Sequence, residues 1–187
     1  MIRSALALLC LSSIAVAEQS PLPFDLGGDF SLTDQSGAIR TQVNPDDTYQ
    51  LLFFGYANCQ QICSAALPLM GDIARELTDR GITVQPLMIT VDPARDTIEK
   101  IGPPLVQHHA NFLGLTGTET DLQIAYDAFS VEKEEIFHDP EFGPVFSHGS
   151  FIYLLDAEGT FVTLFPPIIS PDAGADIVAN YVRDTAS

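Results

Sequence analysis

The chain has 187 residues, 46% of them hydrophobic, and a formal net charge of −17 from 8 Lys+Arg against 25 Asp+Glu. That balance argues against nucleic acid or an anionic membrane surface as partner, because both would repel the protein. It agrees with the solvation of an exported protein, and no acidic run is long enough to form a docking tail.

Arg3 followed by the apolar stretch Ser4 to Ala17, ending in Ala15-Val16-Ala17, reads as a secretory signal peptide over residues 1–17. It is too short to span a bilayer comfortably, and no other segment approaches about 20 apolar residues. Cys10 goes with the signal, since Leu9 and not a small residue precedes it. The expectation is a periplasmic or otherwise exported monomer that begins at Glu18, soluble and without a membrane span. Without Arg3 it carries 7 basic against 25 acidic side chains, a charge of −18. Enough chain remains for one domain with a substantial core.

Residues 18–28, with Pro21, Pro23 and Gly27-Gly28, read as an extended arm. Asp29 to Thr41 predicts a hairpin turning at Asp34-Gln35-Ser36-Gly37. Tyr49 to Tyr56 is a nearly continuous apolar run, the pattern of a strand buried on both faces. Leu67, Met70, Ile73, Ala74 and Leu77 then fall on one helical face, with Pro68 inside the helix and Gly81 as its stop. Ile82 to Val91 predicts a second buried strand. Asp92 or Asp96 is a candidate cap for a helix running to His109. A short strand at Asn111 to Leu115 precedes a helix that starts at Thr118.

The acidic stretch Glu132 to Glu141 reads as mobile, and Val145 to Leu155 as one strand. Asp156 to Gly159 turns it into Thr160 to Phe165. Ser170-Pro171-Asp172 marks the last helix, ending near Asp184. Alternating strands and helices, with antiparallel pairs at both ends, describe an α/β sandwich around a mixed sheet, a single domain over residues 29–187.

Cys59 and Cys63 are the two cysteines outside the signal. Disulfide-stapled exported domains carry more, at wider spacing, and a loop this short adds little entropic stability. The pair sits between a buried strand and a helix start. There the helix dipole favours thiolate, and positions i and i+4 share one face. That arrangement suits a soft metal ion or a reversible disulfide. Structural zinc needs four ligands and no second cysteine pair exists, whereas thiolates select Cu(I) and imidazole also suits Cu(II). His108 and His109 fall at a predicted helix end, His138 in the acidic stretch, and His148 just before the strand Phe151 to Leu155. On the residues alone, any further ligand stays open among them.

Four segments, in order, resemble the Sco/SenC family of thioredoxin-fold copper-binding proteins. They are Phe53 to Cys63 (Phe-Phe-Gly-Tyr-Ala-Asn-Cys-Gln-Gln-Ile-Cys), Thr90 to Thr97 (Thr-Val-Asp-Pro-Ala-Arg-Asp-Thr), Ser147 to Asp156, and the turn ending at Gly159. The resemblance spans nearly all of Phe24 to Val182. It implies a thioredoxin-like sandwich, with a central mixed β-sheet flanked by helices and an N-terminal β-hairpin. It also implies copper, Cu(I) or Cu(II), held by Cys59, Cys63 and His148. The implied role is supply of copper to the Cu-A centre of cytochrome c oxidase. The implied partner is a copper-accepting protein, an oxidase subunit or another copper chaperone.

The family commonly reads C-P-D-x-C-P, where this chain has Cys-Gln-Gln-Ile-Cys-Ser, and Ser147 stands where Asp often precedes the histidine. These departures change polarity and loop stiffness around the ligands without removing one. A thiol-disulfide oxidoreductase acting on cysteines of a copper acceptor is the competing reading, and His148 discriminates the two. A peroxidase fits less well, because Cys59 follows Tyr56 and lacks the T-x-x-C setting.

Overall fold

The computed structural model describes residues 26–57, 63–141 and 143–185. The signal, most of the arm, and Cys59 lie outside them. Among the described residues no helix is long and apolar enough to cross a membrane.

The N-terminal hairpin forms as expected from β1 (Ser31–Asp34) and β2 (Ile39–Thr41). Asp34 builds its turn. The carboxylate accepts the Ser36 N–H at 2.8 Å, the Ser36 hydroxyl at 2.6 Å, the Ala38 N–H at 3.1 Å and Arg40 Nε at 2.7 Å. Burial pushes this acid up, but the four donors outweigh it and hold its pKa at about 2.

The apolar run becomes β3 (Tyr49–Gly55), and α1 (Cys63–Asp79) follows with Pro68 inside it. Next come β4 (Val84–Thr90), α2 (Ile98–Leu105), β5 (Leu113–Thr116) and α3 (Glu119–Ala128). Thr118 caps α3 by accepting the Asp121 N–H. The chain closes with β6 (Glu134–Asp139), β7 (Gly143–Ser147), β8 (Ile152–Leu155), β9 (Phe161–Phe165) and α4 (Pro171–Thr185).

Seven strands form one mixed sheet in the order β2-β1-β5-β4-β3-β8-β9. Central β3 pairs in parallel with β4, from Tyr49 opposite Val84 to Gly55 opposite Thr90. On its other side it pairs antiparallel with β8, Gln50 opposite Leu155 and Leu52 opposite Tyr153. Leu51 to Phe54 are buried, as strands sandwiched between layers require. Helix α1 packs on β3, β4 and α4, α2 on β5, and α3 on β1. The end of the arm docks too, with the Gly27 N–H donating to the Ala128 carbonyl at 2.8 Å.

Three expectations need correction. The helix after β4 is shorter, and neither Asp caps it: Thr97 occupies the N-cap position, and the helix ends at Leu105 just after Pro103-Pro104, which lack amide protons. His108 and His109 therefore lie in the turn beyond it. Burial first, then Arg75, holds both imidazoles below the usual histidine range.

The acidic stretch, expected to be mobile, forms one arm of a hairpin, in which β6 pairs with β7 in a separate two-stranded sheet. The strand expected from Val145 to Leu155 is two strands. Polar and flexible Ser147-His148-Gly149-Ser150 cannot fill a core face, so half-buried β7 ends at Ser147 and the fully buried strand starts at Ile152.

Candidate metal centre

At the C-terminal end of β3 the chain passes Tyr56 and Ala57 and enters 58–62, outside the described residues. Cys63 is the first residue of α1.

His148 lies between β7 and β8. Because β8 runs antiparallel to β3, the start of one meets the end of the other. The imidazole stands edge-on to Phe53, with centroids 5.6 Å apart and planes at 85°, and to Tyr56 at 6.1 Å and 81°. These two residues lead into the cysteine loop. His148 Nδ1 lies 2.9 Å from the Gly149 carbonyl oxygen. A carbonyl only accepts, so Nδ1 donates here, and in the neutral ring Nε2 is the nitrogen that would ligate a metal.

Of the other histidines, two have ring partners in the structure. His138 faces Glu135 on the exposed ribbon at 3.3 Å. The His108 carbonyl accepts from Arg75, and His109 Nδ1 accepts the Asn111 N–H at 3.2 Å. Among the described residues no three His, Cys, Asp or Glu side chains cluster as a metal cage, and Cys59 is not among those residues.

Sequence reasoning treated Asp92 to Asp96 as a helix start and missed its structural part. Asp96 is fully buried. Its Oδ2 accepts the Thr90 hydroxyl at 2.7 Å and the Ala57 N–H at 3.0 Å, while Oδ1 has no hydrogen-bond partner. Burial raises its pKa, with the Asp92 charge adding to it, against the Thr90 and Ala57 bonds and Arg95. Thr90 is held in turn, its Oγ1 accepting the Asp92 N–H at 2.9 Å and its carbonyl accepting the Tyr126 hydroxyl at 2.6 Å. Arg95 pairs with buried Asp92, donates from Nη2 to the Pro144 carbonyl at 2.6 Å, and lies 5.2 Å over the Tyr56 ring. The available signal was position: two acids and an Arg directly after a buried strand, at the end of the sheet where α/β folds bind ligands.

The sequence matches the SCO1/SenC family over residues 18–183. It is 34% identical over 158 residues to a SCO2-like protein of Rickettsia conorii, covering 83% of this chain and 76% of that one. The fold is similar to the crystal structure of Arabidopsis thaliana ScoI with copper bound, at TM-score 0.79 and 25% identity, over 85% of this chain and 99% of that one. It is also similar to yeast Sco1 with copper bound, at TM-score 0.75 and 32% identity, over 85% and 89% of the two chains. Matched by the family model over residues 18–183 and by relatives of this identity and coverage, the chain belongs to the SCO1/SenC family.

Proposed function

We propose that this protein is an exported copper metallochaperone that loses residues 1–17 on export. It holds Cu(I) or Cu(II) on Cys59, Cys63 and His148 and passes the ion to a copper-accepting protein in the assembly of the Cu-A centre of cytochrome c oxidase. The observation that carries the reading is His148. Its Nδ1 proton is committed to the Gly149 carbonyl, and its ring packs on the two residues leading into the cysteine loop. Relatives solved with copper bound support the same cargo.

Two thiolates and one imidazole suit a soft ion and leave the site open to an incoming ligand. Transfer then proceeds by ligand exchange: an acceptor thiolate or imidazole bonds to the copper as a chaperone ligand leaves, with no net electron transfer. The test is copper titration of the reduced protein against a competing chelator, wild type beside Cys59→Ser and His148→Ala. Wild type is expected to bind a single copper per chain, with thiolate-to-copper absorption in the Cu(II) form, Cys59→Ser to lose retention, and His148→Ala to bind copper measurably more weakly. Unchanged retention in Cys59→Ser would overturn the reading. If His148→Ala leaves the protein's main activity intact, the thiol-disulfide oxidoreductase reading takes its place.

A further inference from the structure

We infer that the turn from Asp92 to Asp96 is a two-sided clamp that holds Ala57, where the chain enters the cysteine loop, and the ribbon leading to His148 in one fixed relation. The inference rests on the proposed copper site and names the residues that position it.

On the cysteine side, Asp96 Oδ2 takes the Ala57 N–H, the last described amide before the cysteine loop. The same oxygen takes the Thr90 hydroxyl, so Ala57 is tied to the end of β4 through one buried carboxylate. On the histidine side, Arg95 reaches the β6–β7 ribbon through the Pro144 carbonyl. A Cβ at Gly143 would come within 3.2 Å of Arg95 Nη1, so the ribbon turn sits directly on the guanidinium. His148 follows β7 by a single residue. A two-stranded ribbon is marginal alone, and this one belongs to no larger sheet, so its pose depends on such tethers. The planar guanidinium serves Asp92, Pro144 and the Tyr56 face at once, which a lysine ammonium cannot do. One short turn therefore holds both the chain that enters the cysteine loop and the ribbon that leads to His148.

Arg95 is thus a positioning residue acting through His148, which a double-mutant cycle can isolate. The experiment measures copper affinity by chelator competition for wild type, Arg95→Lys, His148→Ala and the double variant. Lysine keeps a positive charge facing buried Asp92, so the variant retains its fold. Arg95→Lys is expected to weaken binding roughly tenfold with His148 present and by less than about twofold without it. Equal affinity of wild type and Arg95→Lys, or the same loss in both backgrounds, overturns the clamp while leaving copper binding intact. Failure of wild type to hold copper, or its retention in Cys59→Ser, fells the underlying reading instead. Native-state hydrogen exchange is the second measurement: Arg95→Lys should speed exchange in β6 and β7 but not in β3 and β4. Unchanged exchange in the ribbon also overturns the inference.

Discussion

The imidazole of His148 stands edge-on to the ring of Phe53, 5.6 Å between centroids and 85° between planes. Phe53 is buried in the central strand, so a rigid part of the core supports a residue that sits in a connection. Neighbouring Phe54 contacts a different set of rings, Tyr126, Phe129 and Tyr153.

The two phenylalanines should therefore separate stability from metal binding. Phe53→Leu and Phe54→Leu are each expected to cost about 1 kcal/mol or more, read by urea unfolding, through lost ring packing. Only Phe53→Leu should weaken copper binding, by several-fold in chelator competition. An equal effect of both on affinity would show that His148 does not depend on its supporting ring.

Asp34 predicts one direction of pH dependence. Its folded pKa of about 2 lies below the ordinary 3.8, so the stability it contributes is present above that ordinary value. It is lost as pH falls through about 2. Asp34→Asn should cost on the order of 2 kcal/mol near neutral pH, and that difference should shrink toward zero in strong acid. Thermal melts of both proteins across the acid range check it.

Asp96 predicts the opposite sign. Its pKa is raised, chiefly by burial, so between the unfolded and folded values the native state binds more protons than the unfolded one. Stability therefore falls as pH rises through that window. Asp96→Asn removes the titration, so its stability relative to wild type should improve on going from acid to neutral pH. A difference in melting temperature that is flat with pH would show that Asp96 does not titrate abnormally.

Gly159 turns β8 into β9 with φ +84, and a Cβ there would lie 2.5 Å from the Gln42 carbonyl oxygen. Gly159→Ala should destabilise the fold by about 1–3 kcal/mol, seen as a lower melting temperature. Copper affinity of the folded fraction should not change, because neither residue borders the His148 environment.

Legibility in the sequence followed burial. The runs Tyr49 to Gly55 and Val84 to Thr90 announce core strands because both faces are covered, and Gly81 and Ser170-Pro171 announce helix ends through backbone chemistry. The ribbon was not legible, since exposed Glu134-Glu135 and Ile136-Phe137 show no alternation when no core lies beneath them. At the site, spacing marked Cys59 and Cys63 as reactive, and the family resemblance singled out His148. The clamp stayed hidden because Asp92 and Asp96 are common capping residues. Their work is tertiary: a bond to Ala57, 39 positions from Asp96, and a bond from Arg95 to Pro144, 49 positions away.

The antiparallel union of β3 with β8 also bears on how the molecule comes into being. A chain that emerges N-terminus first presents Cys59 and Cys63 before the strand that follows His148 has formed. On the copper reading, an ion met at that stage finds sulfur ligands alone. The imidazole joins them only when β8 has zipped onto β3 and the sheet has closed. Possession of the full ligand set thus certifies a finished domain, and a half-made chain cannot hold its cargo in the same way.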